Sequence, residues 1–358
     1  MCKGESNRVH NSGRKTAKMA GPPEATDRHP VVIIGGGPVG LSASILLSLR
    51  GIPHALFERH RGTSIHPKAC GINQRTTEIF RAMGGGLAAV RAAAAPDDVK
   101  GRTAWWTALG PGGREIFPRD AWGGGAYADE YAAHGPTRYE VMPQNRLEPL
   151  LVRRARELNP AALRFGVEVT DLVVDEADGG GVRVKVRSSR GEESEVLARF
   201  VIAADGGRSV TDKLGVPWIG ERDVMDMVSV HFRSPLRSRH PDPRNFIIWF
   251  THPDQGGSVR TGYLYQIGPW PFDSPEARDS EEWVFSCAPT ASDPSKFHRL
   301  VLPLGRCRRR RGSRQPWWAV IGQRRARHRV FQAVHHPGPS HSTLVDVPRQ
   351  GRPLRSAI

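Results

Sequence analysis

Nowhere does the chain hold about 18 consecutive apolar residues, the length a membrane-spanning helix needs, so a spanning segment is excluded. Cysteine is scarce. The four present, Cys2, Cys70, Cys287 and Cys307, share neither metal nor redox spacing. That argues against a disulfide framework or a metal site and makes a reducing cytoplasm the expected compartment. No internal repeat is evident. Residues 1–29 lack the apolar stretch of a secretory signal; polar and basic, they read as a disordered leader, with Met19 as a second candidate start.

Acid is lacking in one place only. From His298 to Ile358 there are fourteen arginines, no lysine, no glutamate and a single aspartate, Asp346. That segment carries +13 of the formal +16, so the other 297 residues are close to neutral. The basicity belongs to a tail, expected to be poorly ordered, and nucleic acid is not the expected main partner.

What is present begins at Val31. Val31 to Ile34 is a short β-branched apolar run, as in a strand buried on both faces of a parallel sheet. Gly35, Gly37 and Gly40 follow in G-x-G-x-x-G, with Pro38 inside it. The first glycine permits a tight turn, the second lets backbone approach a pyrophosphate, and the third lets helix pack on strand. A helix over Leu41–Arg50 would aim its positive dipole end at those phosphates. A second strand, His54–Phe57, ends in Glu58, eighteen residues after Gly40 and suited to a ribose diol. Strand, glycines, helix, strand and acid in this order predict a dinucleotide site. The motif alone leaves FAD and NAD both open.

Downstream, His66 to Gly84 reads as a loop entering a helix with Ile72, Ile79, Phe80 and Met83 on its apolar face. Lys68 and Arg75 are candidate phosphate contacts there. Residues 101–135 predict a hairpin inserted in the first domain, with a mobile loop at glycines 123–125. A helix from Met142 runs to about Leu158, ended by Pro160. Strands follow at Phe165–Val173, Gly181–Ser188 and Phe200–Ala204, with turns predicted at Asp175–Gly180 and Ser189–Ser194. The last strand leads into an Asp-Gly turn, Asp205 to Ser209. Met227–Phe232, Asn245–Phe250, Val259–Ile267 and Trp283–Ala288 predict a second, mainly antiparallel sheet able to wall a pocket.

Taken together, Gly35 to Gly40 with Glu58, His66 to Glu78, Pro143 to Leu151 and Asp205 to Ser209 resemble the motifs of one family. It is that of the single-component FAD-dependent aromatic hydroxylases, of the phenol hydroxylase and p-hydroxybenzoate hydroxylase type. Phenol 2-monooxygenase and dichlorophenol monooxygenase are the nearest branch. The likeness covers roughly residues 30–297 and implies an α/β fold: an FAD-binding parallel-sheet domain at 30–222 and a mainly antiparallel β substrate domain at 223–297. By resemblance, Gly35, Gly37, Pro38, Gly40, Glu58 and Arg59 would hold the ADP half of FAD. Lys68, Gln144, Asp205 and Arg208 would serve the rest. The implied chemistry is reduction of flavin by NAD(P)H as co-substrate. Reaction with O2 then gives a C4a-hydroperoxide that hydroxylates a small aromatic substrate, in secondary metabolism or aromatic degradation. A homodimer would be in keeping with the family.

The resemblance supplies no catalytic base. Cys70 stands where yeast-type phenol hydroxylases carry an aspartate and would serve only with a depressed thiol pKa. His231, Trp249, Tyr263 and Tyr265 are the substrate-pocket candidates on the second sheet. No metal site is expected. Three other readings stand beside this one. The first is an NAD-dependent dehydrogenase, which the first strand–helix–strand unit alone permits. The second is a nucleic-acid binder using Arg308–Arg311 with Trp317 and Trp318. The third is a truncated, weakly FAD-binding product, because the family's Gly-Asp segment is missing after Val330–Ala333 and the tail resembles out-of-frame GC-rich coding sequence.

Overall fold

The computed structural model describes residues 27–110, 112–174, 180–207, 209–217, 219–220, 227–251, 262–270, 277 and 281–288. It also describes the backbone of 318–323 and 330–332. The first element, β1 (Asp27–Ile34), is followed by α1 (Pro38–Ser48) and β2 (His54–Glu58). Next come β3 (Gly71–Ile72), α2 (Gln74–Arg81) and α3 (Gly86–Ala93). A hairpin, β4 (Arg102–Trp106) and β5 (Glu115–Asp120), precedes α4 (Ala128–His134), β6 (Glu140–Val141) and α5 (Gln144–Leu158). The chain continues through β7 (Leu163–Phe165), β8 (Val167–Val174), β9 (Val182–Ser188), β10 (Glu193–Ala203) and α6 (Val210–Lys213). Then follow β11 (Met227–Arg233), β12 (Asn245–Phe250), β13 (Tyr263–Gly268), β14 (Glu282–Cys287), β15 (Trp318–Gln323) and β16 (Val330–Gln332).

Six strands form the first sheet in the order β7-β2-β1-β10-β9-β8. The pairs β7–β2, β2–β1 and β1–β10 are parallel, while β10, β9 and β8 make an antiparallel meander. Val31 to Ile34 are buried, and their alternation explains why the run is apolar throughout. Val31 and Ile33 pack with Leu41, Ile45, Phe80, Met83 and Leu151 on the helical side. Val32 and Ile34 pack with Val169, Leu172, Val184 and Val186, where the meander folds back over the other face.

Several boundaries differ from the sequence expectation. The strand expected over Phe200–Ala204 begins at Glu193, inside the turn expected at Ser189–Ser194, and the one expected over Val259–Ile267 is seen from Tyr263, with 259–261 outside the described residues. Asp27 to His29 belong to β1 and not to a leader, since they pair with Val196 to Ala198. Helix α1 begins at Pro38, three residues early, because proline's fixed φ suits the first helical position. The single strand expected over Phe165–Val173 is two, broken at Gly166, whose φ of +74° turns the chain from an edge beside β2 into the meander. The turn expected at Asp175–Gly180 falls largely on 175–179, outside the described residues, as do 1–26.

The second sheet has the order β16-β15-β11-β14-β13-β12-β4-β5 and is antiparallel except for β12–β4. The hairpin expected as an insertion in the first domain therefore belongs to this sheet: Trp105 lies opposite Trp249, and Thr103 Oγ1 donates to the Ile247 carbonyl at 2.9 Å. The glycines at 123–125 lead into α4. Of the tail, the backbone of Trp318–Gln323 pairs antiparallel with β11 and Val330–Gln332 pairs with β15; the rest lies outside the described residues. A two-stranded ladder, β3 with β6, ties the loop before α2 to the start of α5. No helix among the described residues is long and apolar enough to cross a membrane.

Candidate functional site

The three turns that follow β1, β2 and β10 meet at the carboxyl ends of adjacent parallel strands, where open α/β sheets bind ligands. Each glycine of the first turn has its own reason. Gly35 has φ +106°, and a Cβ there would lie 2.5 Å from the Ala204 carbonyl oxygen. At Gly40 a Cβ would lie 1.9 Å from the Gly35 carbonyl oxygen, so only glycine lets α1 approach β1 so closely. Gly37 is different: a Cβ there would meet nothing within 4 Å. It is the N-cap of α1, with no side-chain cap and no acid in the first turn. The first-turn N–H groups of Val39 and Gly40, which have no partner within the helix, and the positive dipole end lie beside this open space, a candidate cradle for a pyrophosphate.

Glu58 borders this cradle. Its Oε2 accepts the Gly36 N–H at 2.7 Å and its Oε1 accepts the His60 N–H at 2.8 Å. The carboxylate expected to meet a ribose therefore also fixes the glycine turn, and each oxygen keeps a second lone pair for a ligand hydroxyl. Arg59 beside it is exposed.

Asp205, across from Gly35, is committed to its own turn. Its carboxylate accepts the N–H groups of Gly207 (3.0 Å), Ser209 (2.7 Å) and Val210 (3.1 Å) and the Ser209 hydroxyl (2.8 Å). Burial pushes its pKa up, but these bonds outweigh it and hold the group at about 2. Arg208 lies outside the described residues.

Where α5 begins, the loop from Glu58 is stitched to the helix. The Gln144 and Met142 N–H groups donate to the carbonyls of Ala69 (2.8 Å) and Cys70 (2.7 Å). The Gln144 side chain donates to Glu148 Oε1 at 2.5 Å, and the buried Glu148 in turn accepts the Ser64 N–H at 2.5 Å. Lys68 is exposed on that loop, whereas Arg75 is paired with Glu78 at 2.6 Å. A groove of about 640 Å³ opens between Arg61, Arg153 and Arg156; none of the expected site residues lines it.

Cys70 does not meet the condition set for it. Burial pushes its thiol up to about 12, only partly countered by the Gly71 backbone, and it packs as a small apolar residue against the buried cluster that holds Val141, Tyr265 and Val284. The four expected pocket residues do share one face of the second sheet. Strand register places His231 opposite Val284, which faces Tyr265, and places Trp249 opposite Tyr263. On that face Val284, Tyr263 and Tyr265 pack towards Val141 and Cys70 of the first unit. The rings form a continuous wall: Trp105–Trp249 at 6.3 Å, Trp249–Tyr263 at 4.6 Å and Tyr263–Tyr265 at 5.9 Å. Burial holds the Tyr265 hydroxyl above the usual phenol range.

Sequence reasoning missed the polar centre between the two sheets. Glu282 on β14 receives Arg233 at 2.7 Å, Arg146 of α5 at 3.1 Å and His231 at 3.4 Å. His66, half-buried on the loop, has its pKa lowered by burial and then by the nearby Lys68 and His231. Apart from His231, a pocket candidate from the sequence, Arg146 in the helix start and His66 in the loop motif, no spacing announces this cluster.

A family model described as "FAD binding domain" matches residues 28–297. The chain is 40% identical over 229 residues to a putative polyketide hydroxylase of Streptomyces coelicolor, an alignment covering 63% of this chain and 35% of the relative. It is 29% identical over 244 residues to the 2,4-dichlorophenol 6-monooxygenase of Delftia acidovorans, covering 67% of this chain and 40% of that one. Among solved structures, the flavin-dependent monooxygenase PieE in complex with FAD and substrate is similar at a TM-score of 0.67 and 28% identity, over 84% of this chain and 51% of that one. The chain spans between about a third and a half of the length of the curated relatives it matches.

Proposed function

The chain belongs to the FAD binding domain family, and on that premise we propose that it serves an FAD-dependent monooxygenase that hydroxylates a phenolic ring with NAD(P)H and O2. The observation that carries this reading is the cradle at Gly37: an uncapped helix start facing open space, bordered by the Glu58 carboxylate. Its donors suit a pyrophosphate and its acid suits a ribose without a 2′-phosphate. Gly35, Gly37, Pro38 and Gly40 would hold the phosphates, with Glu58 and Arg59 at the adenosine. Lys68, Gln144, Asp205 and Arg208 would line the remainder. Bound FAD would supply reduction by NAD(P)H and activation of O2 for transfer of one oxygen atom to the ring.

The chain's own residues bind, orient and exclude water. Stitching of the loop to α5 through Ala69, Cys70 and Glu148 fixes one wall of the gap, and the Trp249, Tyr263 and Tyr265 rings offer a flat face for an aromatic substrate. Relatives named for polyketide and chlorophenol hydroxylation support a phenol, fused or single-ring. A reducing cytoplasm is the proposed compartment. The test is colour and consumption. Purified protein should bind FAD, and phenols should accelerate NAD(P)H oxidation with ¹⁸O from O2 in the product. Fused-ring and simple phenols run in parallel decide the substrate class. Protein that stays colourless after reconstitution with FAD would sink the reading.

A further inference from the structure

Oxygen transfer to a phenol is helped when a base takes the hydroxyl proton, because the ring then becomes the better nucleophile. Two of the expected groups are unavailable: the Cys70 thiol is pushed up to about 12, and Asp205 is occupied by four donors of its own turn. The second sheet offers another. His231 stands on the face of β11 that looks towards the first unit, with Nε2 3.4 Å from Glu282 Oε2. Glu282 is 7% exposed and stays ionised. Burial alone would raise its pKa, but His231, Arg233 and Arg146 bring it to about 2. An ionised carboxylate only accepts hydrogen bonds, so it favours the tautomer with the hydrogen on Nε2, the ring nitrogen nearest it. That tautomer leaves Nδ1 as the acceptor.

We infer that His231 is the base that accepts the phenolic proton, with Glu282 as its positioning residue. This rests on the hydroxylase reading above. In the step the substrate O–H bond breaks, its electron pair stays on oxygen, and the proton moves to His231 Nδ1. The imidazolium so formed keeps its Nε2–H directed at Glu282, and no electron changes hands. The charged and titratable groups around it are Glu282 on β14, Arg233 on its own strand, Arg146 on α5, and His66 on the loop. Cations outnumber the one acid, so negative charge arriving on a substrate oxygen is stabilised there.

The experiment uses 4-nitrophenol, whose phenolate absorbs at longer wavelength than the phenol, in buffer acidic enough to keep the free dye neutral. Difference spectra of the purified, FAD-treated chain should show bound dye as phenolate. His231→Gln, which keeps a donor for Glu282, should bind the dye with affinity within a few-fold and lose the phenolate band about tenfold. Glu282→Gln, read at a temperature where it is folded, should lower the band without a matching loss of affinity, which a merely structural role would not do. A wild-type complex holding neutral dye, or a phenolate band that persists in His231→Gln, overturns the inference while leaving the hydroxylase reading intact. If the FAD-loaded wild type binds no phenol at all, both fail together.

Discussion

The carboxylate of Glu58 accepts the backbone N–H of Gly36 at 2.7 Å, so the acid at the end of β2 locks the turn at the end of β1. One side chain thereby serves both the fold and the cradle. Glu58→Ala is expected to cost about 1–3 kcal/mol, as for loss of a hydrogen bond to a charged group, and to weaken FAD binding. Urea unfolding of protein free of flavin, set beside FAD titration, checks the two effects separately. Loss of affinity with no loss of stability would mean that the Gly36 contact contributes nothing to the fold.

Gly37 and Gly40 make a matched pair. A methyl at Gly40 would sit 1.9 Å from the Gly35 carbonyl oxygen, so Gly40→Ala must push α1 off β1 and is expected to destabilise by about 1–3 kcal/mol or more. A methyl at Gly37 meets no protein atom within 4 Å, so Gly37→Ala should stay within about 0.5 kcal/mol of wild type. Its methyl would instead occupy the open space of the cradle, and FAD affinity should fall by about tenfold or more, the equivalent of about 1.4 kcal/mol. Calorimetry of both proteins, with and without FAD, separates the roles.

These two glycines also show what the sequence discloses. The motif from Val31 to Glu58 is local, its spacings are fixed by one turn and one helix, and its strand is apolar because both faces are covered. The four strands from Met227 to Ala288 were legible for the same reason: each is a short β-branched or aromatic run. What escaped depends on distance or on a single dihedral. Nothing near Thr103 signals that β4 lies beside β12, 144 residues on from Thr103 at Ile247. Gly166 breaks an otherwise regular alternation with one positive φ. Arg146, Arg233 and Glu282 come from three elements, and no periodicity brings them together.

Cys70 should be inert. With burial pushing its thiol up to about 12, only about one molecule in 10⁴ carries the thiolate at pH 8, and the thiolate is the reactive form. Iodoacetamide at pH 8 should leave the Cys70 peptide unlabelled in the native protein, and so too that of Cys287, pushed up to about 11. Both should label once denaturant is added. Rapid native labelling of Cys70, followed by mass spectrometry of the peptides, would reverse its assignment as a packing residue.

Glu282 predicts how the fold responds to acid. Its ordinary value of 4.5 is lowered to about 2 in the folded chain, because the donors of His231 and Arg233 and the charge of Arg146 outweigh the cost of burying it. A carboxylate with a depressed folded pKa stabilises the native state above its unfolded pKa, and that stability is lost as pH falls through the folded value. The window is therefore about pH 4.5 down to about 2, and the contribution at neutral pH is about 3 kcal/mol. Asp205, lowered from 3.8 to about 2, adds its loss within the lower part of that window, so the wild type should lose stability steeply there. Glu282→Gln removes one of the two groups and leaves Arg146 and Arg233 facing an uncharged amide. It should be less stable at pH 7 by about 3 kcal/mol and show a shallower slope below pH 4.5. Urea midpoints taken from pH 7 to pH 3 measure both quantities. A variant whose slope matches the wild type would show that the carboxylate is not held by its arginines.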